Sequence, residues 1–140
     1  MYAREKRRHL VFFMFMDGFY PPEEIGRVQD AYLSLLEVEH DEEDDEFLKK
    51  RYLQVKEKVP EIDKIINARS TAWRTDRMDP VVLSILRVSI YEMMYVKEVP
   101  RNVSINEAVE FGKLYGGAGA YALINGILAS FAVQLSEEEG

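Results

Sequence analysis

The chain has 140 residues, 47% of them hydrophobic, and a formal net charge of −7, enough for one domain with a buried core. It contains no cysteine, which excludes disulfides, thiol nucleophiles and cysteine-bound metal. His9 and His40, its two histidines, lie too far apart in sequence to suggest a metal site, and nothing points to a cofactor.

The first segment, about Arg4 to Gly18, reads as a helix that begins basic and turns apolar. Arg4, Lys6, Arg7 and Arg8 face a single acid, Glu5. Such a cluster can hold nucleic-acid phosphates by displacing their counterions. The run Leu10 to Met16 that follows is the longest apolar stretch, well short of the roughly 20 residues a membrane span needs. Asp17 interrupts it and no small-residue cleavage site follows, so a cytoplasmic protein without membrane contact is expected. An unbroken apolar run cannot all face one core, because a helical stripe covers only part of the circumference. Either this helix is buried on most sides, or Phe12, Phe13 and Phe15 serve a partner, a homodimer included.

Pro21-Pro22-Glu23-Glu24 predicts the next helix start, with Ile25, Val28, Tyr32, Leu35 and Leu36 on its apolar face. Glu37 to Glu46 is an acidic loop and helix start without a single Lys or Arg. Apart from this run and Glu137 to Glu139, the remaining residues are net basic, so a basic binding face fits an acidic protein. Phe47, Leu48, Tyr52, Val55 and Val59 mark a third helix, and Pro60 opens a short fourth with Ile62, Ile65 and Ile66.

Asp79-Pro80 sets the N-cap and first residue of a central helix that is apolar around much of its surface. Ser104-x-x-Glu107, with Val103 before it, predicts a capping box and staple at the start of the following helix. Gly116-Gly117 ends that helix, and a last one runs roughly from Ala118 to Gln134. The turn between them, Gly117-Ala118-Gly119-Ala120-Tyr121-Ala122, fits G-x-G-x-x-G/A, the dinucleotide-binding pattern. That pattern works only after a strand, and here a helix precedes it. No acid is set in an apolar pattern against a histidine or lysine partner, so nothing reads as catalytic. The reading is all-α, about seven helices, with subdomains about 1–75 and 76–136.

The second half resembles the NusB family of transcription antitermination factors. The resemblance rests on Trp73, Arg77, Leu86-Arg87, Tyr91-Glu92, Val99-Pro100, Ile105-Asn106-Glu107-Ala108, Lys113, Tyr115-Gly116 and Asn125-Gly126-Ile127-Leu128, in that order. It implies two packed helical subdomains, and binding of boxA-type RNA with ribosomal protein NusE in a transcription complex that modifies RNA polymerase. It carries an RNA-binding role to Arg4, Lys6, Arg7 and Arg8, with Arg69, Arg74 and Lys113 as weaker candidates. Tyr91 and Glu92 on the central helix join the three phenylalanines as candidate partner contacts, although that helix reads mainly as structural.

The chain also departs from the family pattern. Where the family carries Lys-Phe before the Asn-Gly signature, this chain has Ala122-Leu123, losing a phosphate-pairing cation and a stacking ring. Tyr121 lies two positions before Leu123, about 200° away around a helix. Val82-Leu83 replaces an Asp-Arg pair, and Leu10 and Met14 are bulky where small residues are usual. These changes favour protein contacts over RNA contacts. They keep open a second reading, a NusB-fold interaction module, dimer or adaptor, with weakened RNA binding.

Overall fold

The computed structural model describes residues 1–140 and contains seven α-helices and no strand. The chain divides into two compact units, Met1–Glu57 and Lys58–Gly140. The first holds α1 (Ala3–Met16), α2 (Ile25–Leu35) and α3 (Glu42–Glu57); the second holds α4 (Val59–Arg69), α5 (Pro80–Tyr95), α6 (Arg101–Tyr115) and α7 (Ala120–Glu139). The all-α reading and the helix count agree with the structure.

In the first unit α1 packs on α3. Phe13 is fully buried at their contact, edge-on to Tyr52 at 6.4 Å and to Tyr32 of α2 at 5.5 Å. Four residues of the apolar run, Leu10, Val11, Phe13 and Met14, are buried; Phe12, Phe15 and Met16 are half-buried and none is exposed. Four of the seven are thus core residues, while Phe12, Phe15 and Met16 keep part of their surface accessible. Tyr52 Oη donates to Asp17 at the end of α1, and Lys56 Nζ reaches the same carboxylate at 3.0 Å. Burial, aided by the Asp17 hydrogen bond, pushes the Tyr52 hydroxyl up to about 12; bonding to Asp17 raises Lys56 as well. The acidic run starts α3: Asp44 N–H donates to Asp41 Oδ1 at 2.8 Å, and Asp41 N–H to Asp44 Oδ2 at 3.1 Å. Each side chain thus satisfies the other's backbone donor, and the remaining acids complement the helix dipole.

In the second unit α5 is buried on most sides, as its composition predicted. Asp79 Oδ1 accepts from Val81 N–H at 2.8 Å and Val82 N–H at 3.3 Å, the expected cap. The break between units falls at 57/58 rather than near 75, because α4 belongs with α5 and α7. Arg87 of α5 forms a two-pronged pair with Asp63 of α4, at 2.9 and 2.7 Å. Tyr95 Oη donates to Glu61 at 2.9 Å.

The expected capping box at Ser104 does not exist. Helix α6 begins three residues earlier, at Arg101 behind Pro100, and Ser104 lies inside it, wholly buried. Its hydroxyl donates to the buried Glu92 carboxylate at 2.6 Å, while Ser89 Oγ donates to its carbonyl at 3.2 Å. The serine serves a buried acid across α5 and α6, which local sequence spacing cannot reveal. Ser104→Ala should cost about 1–3 kcal/mol in urea unfolding, because a buried carboxylate loses a donor. Helices α6 and α7 meet closely at Gly112, where an added Cβ would lie 2.6 Å from Ile124 Cδ1. Gly117 and Gly119 turn the chain between them with φ of 77° and 79°, so the glycine-rich stretch is a helix–turn–helix corner. Helix α7 continues to Glu139, past the expected end.

Candidate nucleic-acid interface

Helix geometry sorts the basic N-terminus into two sets. At about 100° per residue, Arg4, Arg7 and Arg8 share one side of α1, and Phe12 and Phe15 continue that side two turns on. Lys6 lies on the opposite side. Its ammonium is 3.7 Å from Asp44 Oδ1 and 4.8 Å above the Phe47 ring. Asp44 is well placed for this: the Asp41 amide first, then the chain's terminal ammonium and Lys6, hold its carboxyl below the ordinary value. The structure therefore separates Lys6 from the three arginines with which the sequence grouped it. Arg4 is exposed, and Arg8 forms no hydrogen bond or ion pair within the chain. His9 beside them adds no charge near neutral pH: burial lowers its pKa, and its Nδ1 lies 2.7 Å from Tyr32 Oη.

Rings follow the cations along α1. Phe15 stacks on Phe19 at 4.8 Å, and Phe19, just past the helix end, is 60% exposed. An exposed ring that follows a row of guanidinium groups suits single-stranded nucleic acid, whose bases stack and whose phosphates are anionic. Phe13 cannot contribute, being fully buried. The sequence reading missed Phe19, although the aromatic pair after Gly18 was visible there.

The second unit distributes its candidates differently. Arg69 Nη1 donates to the Ile65 carbonyl at 3.1 Å, and its guanidinium covers the Phe131 ring at 5.2 Å. Its Nε is buried without a partner. That is the environment of a packing residue. Arg74 is exposed on the α4–α5 connection and forms no ion pair. Lys113 is exposed on α6, 3.3 Å from Glu110, with its ammonium 5.7 Å from the centre of the Tyr121 ring on α7. Tyr121 does point away from position 123, but toward Lys113. Together they present a cation and a half-exposed ring beside Ala122 and Leu123, which supply neither. Tyr91 pairs with Tyr95 at 5.0 Å and is half-buried. Glu92 is buried on Ser104, which takes it out of any partner surface.

Next to the glycine corner lies a cleft of about 580 Å³. Trp73, Arg77 and Asp79 line it from the α4–α5 connection, and Gly116, Gly119 and Leu123 from the α6–α7 corner and the first turn of α7. The Trp73 side is fixed in place. Asn67 Oδ1 accepts from Thr75 N–H at 2.8 Å, its amide reaches Thr75 Oγ1 at 3.3 Å, and Ser70 Oγ accepts from Trp73 N–H at 3.2 Å. Trp73 is 55% exposed.

The pattern of the NusB family matches residues 5–133. The chain belongs to the NusB family. Among its relatives, the transcription antitermination protein NusB of Lachnoclostridium phytofermentans is 39% identical over 129 residues, covering 92% of this chain and 97% of that protein. The protein of the same name from Agathobacter rectalis is 37% identical over 131 residues, 93% of this chain and 99% of its own. A solved structure of T. maritima NusB superimposes with a TM-score of 0.80 at 26% identity, covering 94% of this chain and 91% of that one. No helix is long and apolar enough to cross a membrane.

Seen in this NusB-family fold, the recognised signature residues fall into two groups. Leu86, Arg87, Tyr91 and Glu92 are accounted for by packing and by bonds within the second unit. Trp73, Arg77, Lys113 and Tyr115 are exposed, and their chemistry is not consumed by a core.

Proposed function

We propose that this chain binds boxA-type single-stranded RNA together with ribosomal protein NusE, and works without catalysis as an antitermination factor in a transcription complex. One observation carries the reading: Arg4, Arg7 and Arg8 share a face of α1 that leads to the Phe15–Phe19 pair, while Lys6 is held by Asp44. Phosphate contacts from that face supply sequence-independent affinity, and the rings supply stacking. The family's relatives, named as transcription antitermination proteins, support the setting.

A titration of labelled boxA-type RNA, with and without NusE and over a range of salt, tests the proposal. Micromolar or tighter binding that weakens steeply with salt is the expected result. No binding even with NusE present would overturn it. The half-buried Phe15 and the exposed Phe19 would then favour the interaction-module reading, checked by sedimentation at several concentrations.

A further inference from the structure

We infer that Asp17 is a positioning residue of the RNA-binding face: Tyr52 and Lys56 of α3 hold its carboxylate, which keeps Phe19 against Phe15 and turned to the ligand. The inference rests on the RNA reading above and adds to it the residue that sets the direction of the stacking ring.

Asp17 stands where a carboxylate is poorly placed. It is the residue on which α1 ends, no basic residue lies in the last turn, and the negative end of the helix dipole faces it. What offsets this comes from 35 and 39 residues further along the chain. The Tyr52 hydroxyl donates to Asp17 Oδ1, Lys56 Nζ donates to the same oxygen at 3.0 Å, and the ammonium also lies 3.3 Å from Tyr52 Oη. Tyr52 is 3% exposed and set edge-on against the buried Phe13, so the anchor belongs to the core of the first unit. Both donors keep their protons throughout the neutral range, since the hydroxyl is pushed up to about 12 and the ammonium is raised as well.

The anchor reaches Phe19 through a tight turn. Gly18 N–H donates to the Phe15 carbonyl at 3.3 Å, and Phe19 N–H to the Met16 carbonyl at 2.9 Å. Pro21 and Pro22 stiffen the far side of the segment, which leaves Gly18 as its loosest point. Phe19 is 60% exposed, and the Phe15 ring at 4.8 Å is its one aromatic contact. A ring so placed has no core to fix it, and its direction follows from the backbone that Asp17 pins. The sign of the effect separates this role from electrostatics. Removing an acid from a protein that binds a polyanion should strengthen binding, whereas removing the anchor should weaken it.

The test uses the full chain with a labelled single-stranded boxA-type RNA, read by anisotropy, and proton spectra of the phenylalanine rings without RNA. Phe19→Ala should lose affinity on the order of tenfold. Asp17→Ala should lose on the order of fivefold, the cost of ordering a loosened ring on binding. Asp17→Asn removes the same charge but keeps an oxygen for Tyr52 and Lys56, so it should bind within about twofold of the unaltered chain. Tyr52→Phe keeps the packing against Phe13 and removes one donor, and should lose affinity by a smaller factor than Asp17→Ala. In the Phe19→Ala background, Asp17→Ala should bring no further loss. Without RNA, the Phe15 and Phe19 ring resonances should move toward unstacked positions in Asp17→Ala and stay in place in Asp17→Asn, with circular dichroism showing both folded. Unmoved resonances in Asp17→Ala, or equal affinity losses with and without the Phe19 ring, would overturn the positioning role and leave the RNA reading intact. No anisotropy change with the unaltered chain would overturn the RNA reading, and the role of Asp17 in it.

Discussion

With Arg4, Arg7 and Arg8 all replaced by alanine, the chain should bind single-stranded RNA about 100-fold more weakly at 0.1 M salt. The figure follows from counterion release. Each phosphate neutralised on a single strand contributes about 0.7 to the slope of log K against log salt. Three lost contacts therefore lower the slope by roughly 2, which amounts to about two decades at 0.1 M salt and almost nothing near 1 M. Alanine suits an exposed helix face, and none of the three arginines is a buried core residue, so the variant should fold normally. Lys6→Ala is the control that gives the experiment its force. Composition makes Lys6 equivalent to its neighbours, but Asp44 and Phe47 already occupy it. Its replacement should change RNA affinity by less than about threefold, because no phosphate contact is lost. Binding measured at several salt concentrations separates these outcomes. Equal losses from Lys6→Ala and from Arg8→Ala would mean that the two faces of α1 are not distinguished by the ligand.

That contrast shows what the sequence disclosed and what it withheld. Helices announced themselves wherever the determinants are local: Asp79-Pro80 as cap and first turn, the proline starts, and the glycines at 116–119. The seven-helix, all-α architecture was legible for the same reason. What failed was anything settled by a distant partner. Ser104-x-x-Glu107 has the spacing of a capping box, yet Ser104 bonds a carboxylate twelve residues back on α5. The unit boundary was placed too late because the ties between α4 and α5, Asp63 with Arg87 and Glu61 with Tyr95, carry no local signature. At the site, four basic residues in five positions were visible, but the separation of Lys6 from the three arginines depends on Asp44 and Phe47 of α3. Trp73 and Arg77 were recognised only as family signature. Their common cleft comes from the α6–α7 corner more than thirty residues away in the chain.

The same dependence on distant partners governs Arg69, and Phe131→Ala exposes it. Phe131 on α7 is 2% exposed and lies under the Arg69 guanidinium. Truncating a buried phenylalanine forfeits its transfer free energy and leaves a cavity, for a loss of about 3–5 kcal/mol. For a chain of this length the thermal midpoint should fall on the order of 10 °C. The guanidinium makes the site less forgiving, because its Nε already lacks a partner and the aromatic face is the favourable contact offsetting that cost. Arg69→Met separates packing from RNA contact. Methionine keeps an unbranched apolar stem and removes the unpartnered donor, so stability should change by less than about 1.5 kcal/mol. RNA affinity should stay within about twofold, since no phosphate contact is lost. Calorimetry of both variants, paired with the RNA titration, decides the matter. A folded Arg69→Met chain that has lost RNA affinity would return Arg69 to the binding surface; one that binds normally leaves it as the lid on Phe131.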